Sequence, residues 1–140
     1  MLMVFTIVSL AAKAGGLLES WREVPLWVMI AVLFFAGVSH FTPVKHEFVK
    51  MIPPVFPAKL FLVYFTGVIE IVGAFLLMST DYRKMASLAL VFFLVAIFPA
   101  NYYAGVKKIP FRNSPPLSAL SRGVVQLIFI VALLVGGGWI

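Results

Sequence analysis

Four near-continuous apolar runs dominate this chain: Pro25 to Phe41, Ala58 to Met78, Met85 to Gly105, and Leu120 to Ile140. Hydrocarbon offers no hydrogen-bond partners, so a segment crossing it must satisfy its backbone internally as a helix or within a closed barrel. Apolar runs of about 20 residues match helices. Barrel strands would be about 10 residues long and would alternate apolar with polar. The sequence therefore predicts an all-α membrane protein, a four-transmembrane-helix bundle with a short interfacial segment between helices one and two. Composition agrees: 63% of the 140 residues are hydrophobic and 11% charged, against about 45–50% and about 25% in soluble domains. A fold this small cannot bury such an excess, and lipid is the solvent that accepts it.

The connections organise the rest. Residues 1–24 read as an N-terminal interfacial segment or an extension of helix one, because Leu2 to Ala12 is too short to span. Ala12-Lys13-Ala14 has the small-x-small form of a cleavage site, but no Lys or Arg precedes the apolar stretch, so a retained segment is expected. Residues 25–140 form the four-helix domain. The turn Ser79 to Lys84 makes helices two and three antiparallel neighbours. Thr42 to Pro57 mixes Phe48, Val49, Met51 and Ile52 with Lys45, His46, Glu47 and Lys50, and is stopped by Pro53-Pro54 and Pro57. It reads as a short amphipathic segment in the interface. Val106 to Pro116 is a basic, Pro-rich loop.

The formal charge of +6 is spread over short segments between apolar runs, which is where membrane proteins meet headgroups. No basic patch with interleaved exposed aromatics suggests nucleic acid. Lys45, Lys50, Lys59, Lys107, Lys108, Arg112 and Arg122 outnumber Lys13, Arg22, Arg83 and Lys84 on the other side. That bias places the first and third connections in the cytoplasm and both termini outside, in a multi-pass protein of the cell's inner (plasma) membrane. The chain has no cysteine, which excludes thiol–disulfide chemistry, iron–sulfur clusters and thiolate metal sites.

Polar residues inside the spans carry the functional signal. Glu70 lies about 18 Å into the second run at a rise of about 1.5 Å per residue, near the bilayer middle. A carboxylate there costs about 2.5–3.5 kcal/mol on insertion scales, so it carries its proton or has a partner. Helical spacing puts Thr66 and Gly73 on its face, with Gly67 and Ala74 at the edge, while Phe61, Phe65, Val68, Val72 and Phe75 face the other way. His40, Tyr64, Asn101, Arg122 and Gln126 fall in the same half of the bilayer, with Glu70 at the bottom of the set. Pro99 removes one helical hydrogen bond beside Asn101. The expected result is a polar pocket open toward one membrane face, with Glu70, His40, Tyr64, Thr66, Asn101, Arg122 and Gln126 as ligand-binding residues. The plainer reading is that Asn, Gln, Thr and Tyr only bond neighbouring helices.

Several stretches resemble the DoxX-like family of small membrane proteins. They are Gly37-Val38-Ser39-His40-Phe41, Met51-Ile52-Pro53-Pro54 with Phe56-Pro57, Tyr64-x-Thr66-Gly67-x-x-Glu70-Ile71-x-Gly73-Ala74, Val95 to Asn101, and Arg122 with Gln126. The resemblance runs from Leu33 to Leu134. It implies a four-helix fold and an association with quinol or thiosulfate:quinone oxidoreduction or oxidative stress.

On this basis the expected function is an integral membrane subunit whose pocket binds a quinone-like hydrophobic molecule within a redox-associated complex. No covalently bound cofactor is expected, and no residue is assigned as catalytic or as a metal ligand. Electrons would come from a partner membrane or peripheral subunit, since the chain has no redox-cofactor motif. One rival is an assembly or structural subunit without its own ligand. Another is a small proton-coupled transporter, with Glu70 as carrier, acting as a homo-oligomer.

Overall fold

A computed structural model describes residues 21–140; the expectation for the N-terminal segment falls on residues 1–20, outside the described part. A single 3-10 turn, Trp21–Glu23, leads into α1 (Val24–Ser39). Four helices follow: α2 (Lys45–Met51), α3 (Lys59–Met78), α4 (Arg83–Val106) and α5 (Ala119–Gly136). Among the described residues there are five α-helices and no strand, with only an isolated bridge between Phe111 and Ser114.

Three of these helices, α3, α4 and α5, are long and apolar enough to cross a membrane. The sequence predicts four, and α1 is the correction. It ends at Ser39 rather than Phe41 and has 16 residues, about 24 Å of helix against a hydrocarbon core of about 30 Å. The early stop has a local cause. Ser39 Oγ and His40 Nδ1 both bond the Ala36 carbonyl, at 2.5 and 2.7 Å. Pro43, just beyond, has no backbone N–H with which to continue the helix.

Between α1 and α3 the chain forms the seven-residue α2, halted by Pro53-Pro54. Ala58 then adopts a left-handed backbone, φ 50°, which turns the chain into α3. Along α3 the face carrying Val63, Gly67, Glu70, Gly73, Ala74 and Leu77 is buried, while Phe61, Phe65, Val68, Val72 and Phe75 are exposed. Small residues on one side let a neighbouring backbone approach, and bulky ones on the other suit lipid.

α1 packs along α3, α4 along α5, and the ring closes through contacts of α1 with α5 and of α3 with α4. Where Gly73 meets the Leu90 side chain, α3 and α4 are in close contact. A core of Leu26, Met29, Leu33, Leu77, Leu90 and Leu133 fills this half of the bundle. It is tied off by Trp139, whose Nε1 donates to the Lys84 carbonyl at 3.0 Å and to Ser87 Oγ at 3.1 Å. The other half is not filled by side chains.

Candidate functional site: a cavity between α3 and α4

Beyond the Gly73–Leu90 contact a cavity of about 840 Å³ lies between α3 and α4. Its walls are Val63, Thr66 and Glu70 on one side and Ala96, Ile97 and Ala100 on the other. Pro99 lines it too and has no N–H to give the Val95 carbonyl. Phe48 and Met51 of α2, Phe111 and the Pro115-Pro116 pair of the α4–α5 loop, and Arg122 of α5 complete the lining. The volume lies within the range that holds small-molecule ligands, about 300–1,000 Å³, and an apolar lining with few polar groups is the usual character of such sites.

Glu70 is 9% exposed and projects from the small-residue face of α3. It meets His40 because α1 and α3 nearly touch. A Cβ built on Gly67 would lie 2.6 Å from the His40 Cβ, and one on Gly37 2.9 Å from the Gly67 carbonyl oxygen. His40 Nδ1 is 3.4 Å from Glu70 Oε2, yet that nitrogen also sits 2.7 Å from the Ala36 carbonyl. A carbonyl only accepts, so Nδ1 carries the hydrogen and directs it at Ala36. Glu70 Oε2 is consequently buried with no hydrogen-bond partner. The His40 ring is held flat against Phe48, centroids 4.1 Å apart and planes 4° from parallel.

The other expected site residues separate into two groups. Thr66 lines the cavity but donates its hydroxyl to the Val63 carbonyl of its own helix at 3.0 Å. Asn101 lines it and donates to Gln126 Oε1 at 3.2 Å, and Gln126 Nε2 donates to the Leu94 carbonyl at 2.9 Å. This amide pair links α4 to α5, and Gln126 lies outside the lining. Tyr64 is also outside, accepting from Lys45 Nζ at 2.8 Å and stacking on Phe41. Arg122 is half-buried at the cavity edge; its Nη1 lies 4.0 Å from Met51 Sδ and its Nε is buried without a partner. Five of the seven expected residues thus line the cavity, His40, Thr66, Glu70, Asn101 and Arg122, while Tyr64 and Gln126 support the helices around them.

Two elements cover the cavity. Phe48 of α2 packs on Phe111 of the loop, centroids 5.4 Å apart. Glu47 Oε2 accepts the Arg112 backbone N–H at 3.2 Å, and Glu47 Oε1 accepts from Lys50 Nζ at 2.9 Å. The Lys50 bond, then the Arg112 N–H, holds the Glu47 carboxyl below the ordinary carboxylate range. Sequence reasoning assigned no role to Phe111 or to the Ala36 carbonyl. The amphipathic pattern of residues 45–52 is the signal that pointed to Phe48. Among the described residues no group of three or more His, Cys, Asp or Glu side chains could hold a metal ion.

No curated protein and no solved structure matches the chain. The resemblance to the DoxX-like family is corrected by the family comparison, which matches residues 29–135 to another family and does not match DoxX. The shared stretches are small residues, buried polar residues and proline pairs, which recur wherever membrane helices pack closely around irregular connections. The match covers most of the chain, which therefore belongs to the family described as a domain of unknown function, DUF8561.

Proposed function

We propose that this chain is a multi-pass protein of the cell's inner membrane whose cavity binds an apolar small molecule through a hydrogen bond to Glu70. The observation that carries the reading is the unanswered Glu70 Oε2, buried at the wall of a largely apolar cavity. A buried polar atom without a partner costs about 1–3 kcal/mol, and a ligand group that meets it recovers that cost on binding. A quinone suits the site: it is apolar, its carbonyls accept the hydrogen bond that a protonated Glu70 carboxyl donates, and its reduction takes up protons that a carboxyl beside an imidazole can hold and pass. The electrons for such a reduction would come from a partner subunit.

In this reading α1 completes a four-span bundle. Its 16 residues together with the 3-10 turn before it extend about 30 Å, the thickness of the hydrocarbon core. The basic connections lie on the cytoplasmic side.

The test uses the purified full chain in non-ionic detergent and a short-chain benzoquinone as probe. Binding should be saturable, and Glu70→Leu should weaken it by about tenfold, the loss of one good hydrogen bond. The same change should not lower Tm, because no protein partner is left stranded. Unchanged binding in Glu70→Leu would refute the ligand role. A folded wild type that binds no probe, with a Glu70→Leu variant that unfolds, would favour the assembly-subunit reading instead. That alternative draws on one observation, the Asn101–Gln126 pair, which is fully engaged in joining helices.

A further inference from the structure

Glu70 is not the only polar group at the cavity that the chain leaves unanswered. Arg122 Nε is buried with no hydrogen-bond partner, and Nη1 has a thioether beside it, which is a weak acceptor. A guanidinium stays charged under all ordinary conditions, and partial burial without a counter-charge is unfavourable. The carboxylates of the described residues are placed elsewhere. Glu47 is engaged with Lys50 and the Arg112 N–H. Asp81 is in the turn at the opposite end of the bundle, and Glu23 precedes α1. Glu70 lies roughly 12 Å deeper than Arg122, judged by their positions from the starts of α3 and α5 and a rise of about 1.5 Å per residue.

The surroundings reinforce the positive charge. Lys45 and Lys59, at the same end, bond the Tyr64 phenol and the Ile52 carbonyl rather than carboxylates. Lys107, Lys108 and Arg112 lie in the loop that covers the cavity. Such an arrangement raises the local concentration of anions at the mouth. A neutral quinone would satisfy Glu70 and leave this charge unmet.

We propose that the cavity takes an apolar molecule with an acidic head group, a carboxylate or a phosphate, seated against the Arg122 guanidinium with its apolar body between α3 and α4. The planar fork of a guanidinium matches both anions in two-point hydrogen bonding. The inference rests on the cavity being a ligand site and narrows the class of ligand. Two sources offer the chemistry, a free long-chain acid and the phosphate of a membrane lipid.

The experiment measures Kd for dodecanoate, dodecanol and dilauroyl phosphatidate with the full chain in non-ionic detergent. At least one acid should bind about tenfold or more tightly than dodecanol. Preference for dodecanoate identifies a free acid, and preference for phosphatidate identifies a lipid phosphate. Arg122→Gln should abolish the acid-over-alcohol ratio and Arg122→Lys should retain part of it. Because the ratio is internal to each variant, a partly destabilised protein still reports it. Equal binding of acid and alcohol by the wild type overturns the acidic-ligand proposal and leaves the ligand-pocket reading standing. Failure of every probe, the benzoquinone included, overturns both.

Discussion

Gly67 shows how one missing side chain creates the site. With only hydrogen at that position the His40 Cβ comes close enough that an added methyl would sit 2.6 Å from it and 3.1 Å from the Gly37 carbonyl oxygen. A Gly67→Ala change must push α1 away from α3, and overpacking of this kind costs about 1–3 kcal/mol. We expect a lower Tm together with weakened probe binding, since His40 and Glu70 would no longer meet. Unaltered Tm and binding would mean that α1 yields without strain. Glu70 itself was legible in the sequence, because a carboxylate in the middle of an apolar run has few explanations. Its neighbour was only half legible. His40 could be assigned to the same half of the bilayer, but the 3.4 Å approach depends on two glycines thirty residues apart in the chain, and no local pattern records such a meeting.

At the scale of elements, the stripe on α3 followed directly from helical spacing, and the exposed and buried faces match it except at Thr66, which is half-buried at the cavity. The end of α1 did not, because apolar composition continues through Phe41 while the Ala36 carbonyl is captured by two side chains. The cover formed by α2 and the α4–α5 loop was also hidden, since its contacts join segments more than sixty residues apart. That cover has a pH dependence with a definite sign. Glu47 has its carboxyl lowered from 4.5 in the folded protein. Its contribution is therefore present in full above that value and is lost as pH falls through the lowered one. The Arg112 amide should be protected from hydrogen exchange at neutral pH and lose protection in acid, after correction for the intrinsic rate. Glu47→Gln at neutral pH should reproduce part of that loss. Full protection of the amide in Glu47→Gln would show that another contact holds the cover.

For the whole molecule, the number of helices that cross fixes the topology. α3, α4 and α5 are long enough, and α1 reaches the required length only with the turn before it. The absence of cysteine makes single-cysteine labelling clean. With four spans, Trp21→Cys and Ser79→Cys should react with an impermeant maleimide from one side of the membrane and Ser114→Cys from the other. Trp21→Cys reacting from the Ser114 side would show that α1 does not cross. The sequence located the polar side chains in one half of the bundle, but not where the packed half ends, because no local pattern records which side chains meet across helices. Only the packing of Gly73 against Leu90 shows where α3 and α4 are in close contact. The most direct test of the account is a high-resolution density map of the full chain purified from membranes without added ligand. It predicts elongated density between α3 and α4, within hydrogen-bond distance of Glu70 Oε2. A cavity closed by side chains, with Glu70 bonded to the protein and no density between the helices, would contradict it.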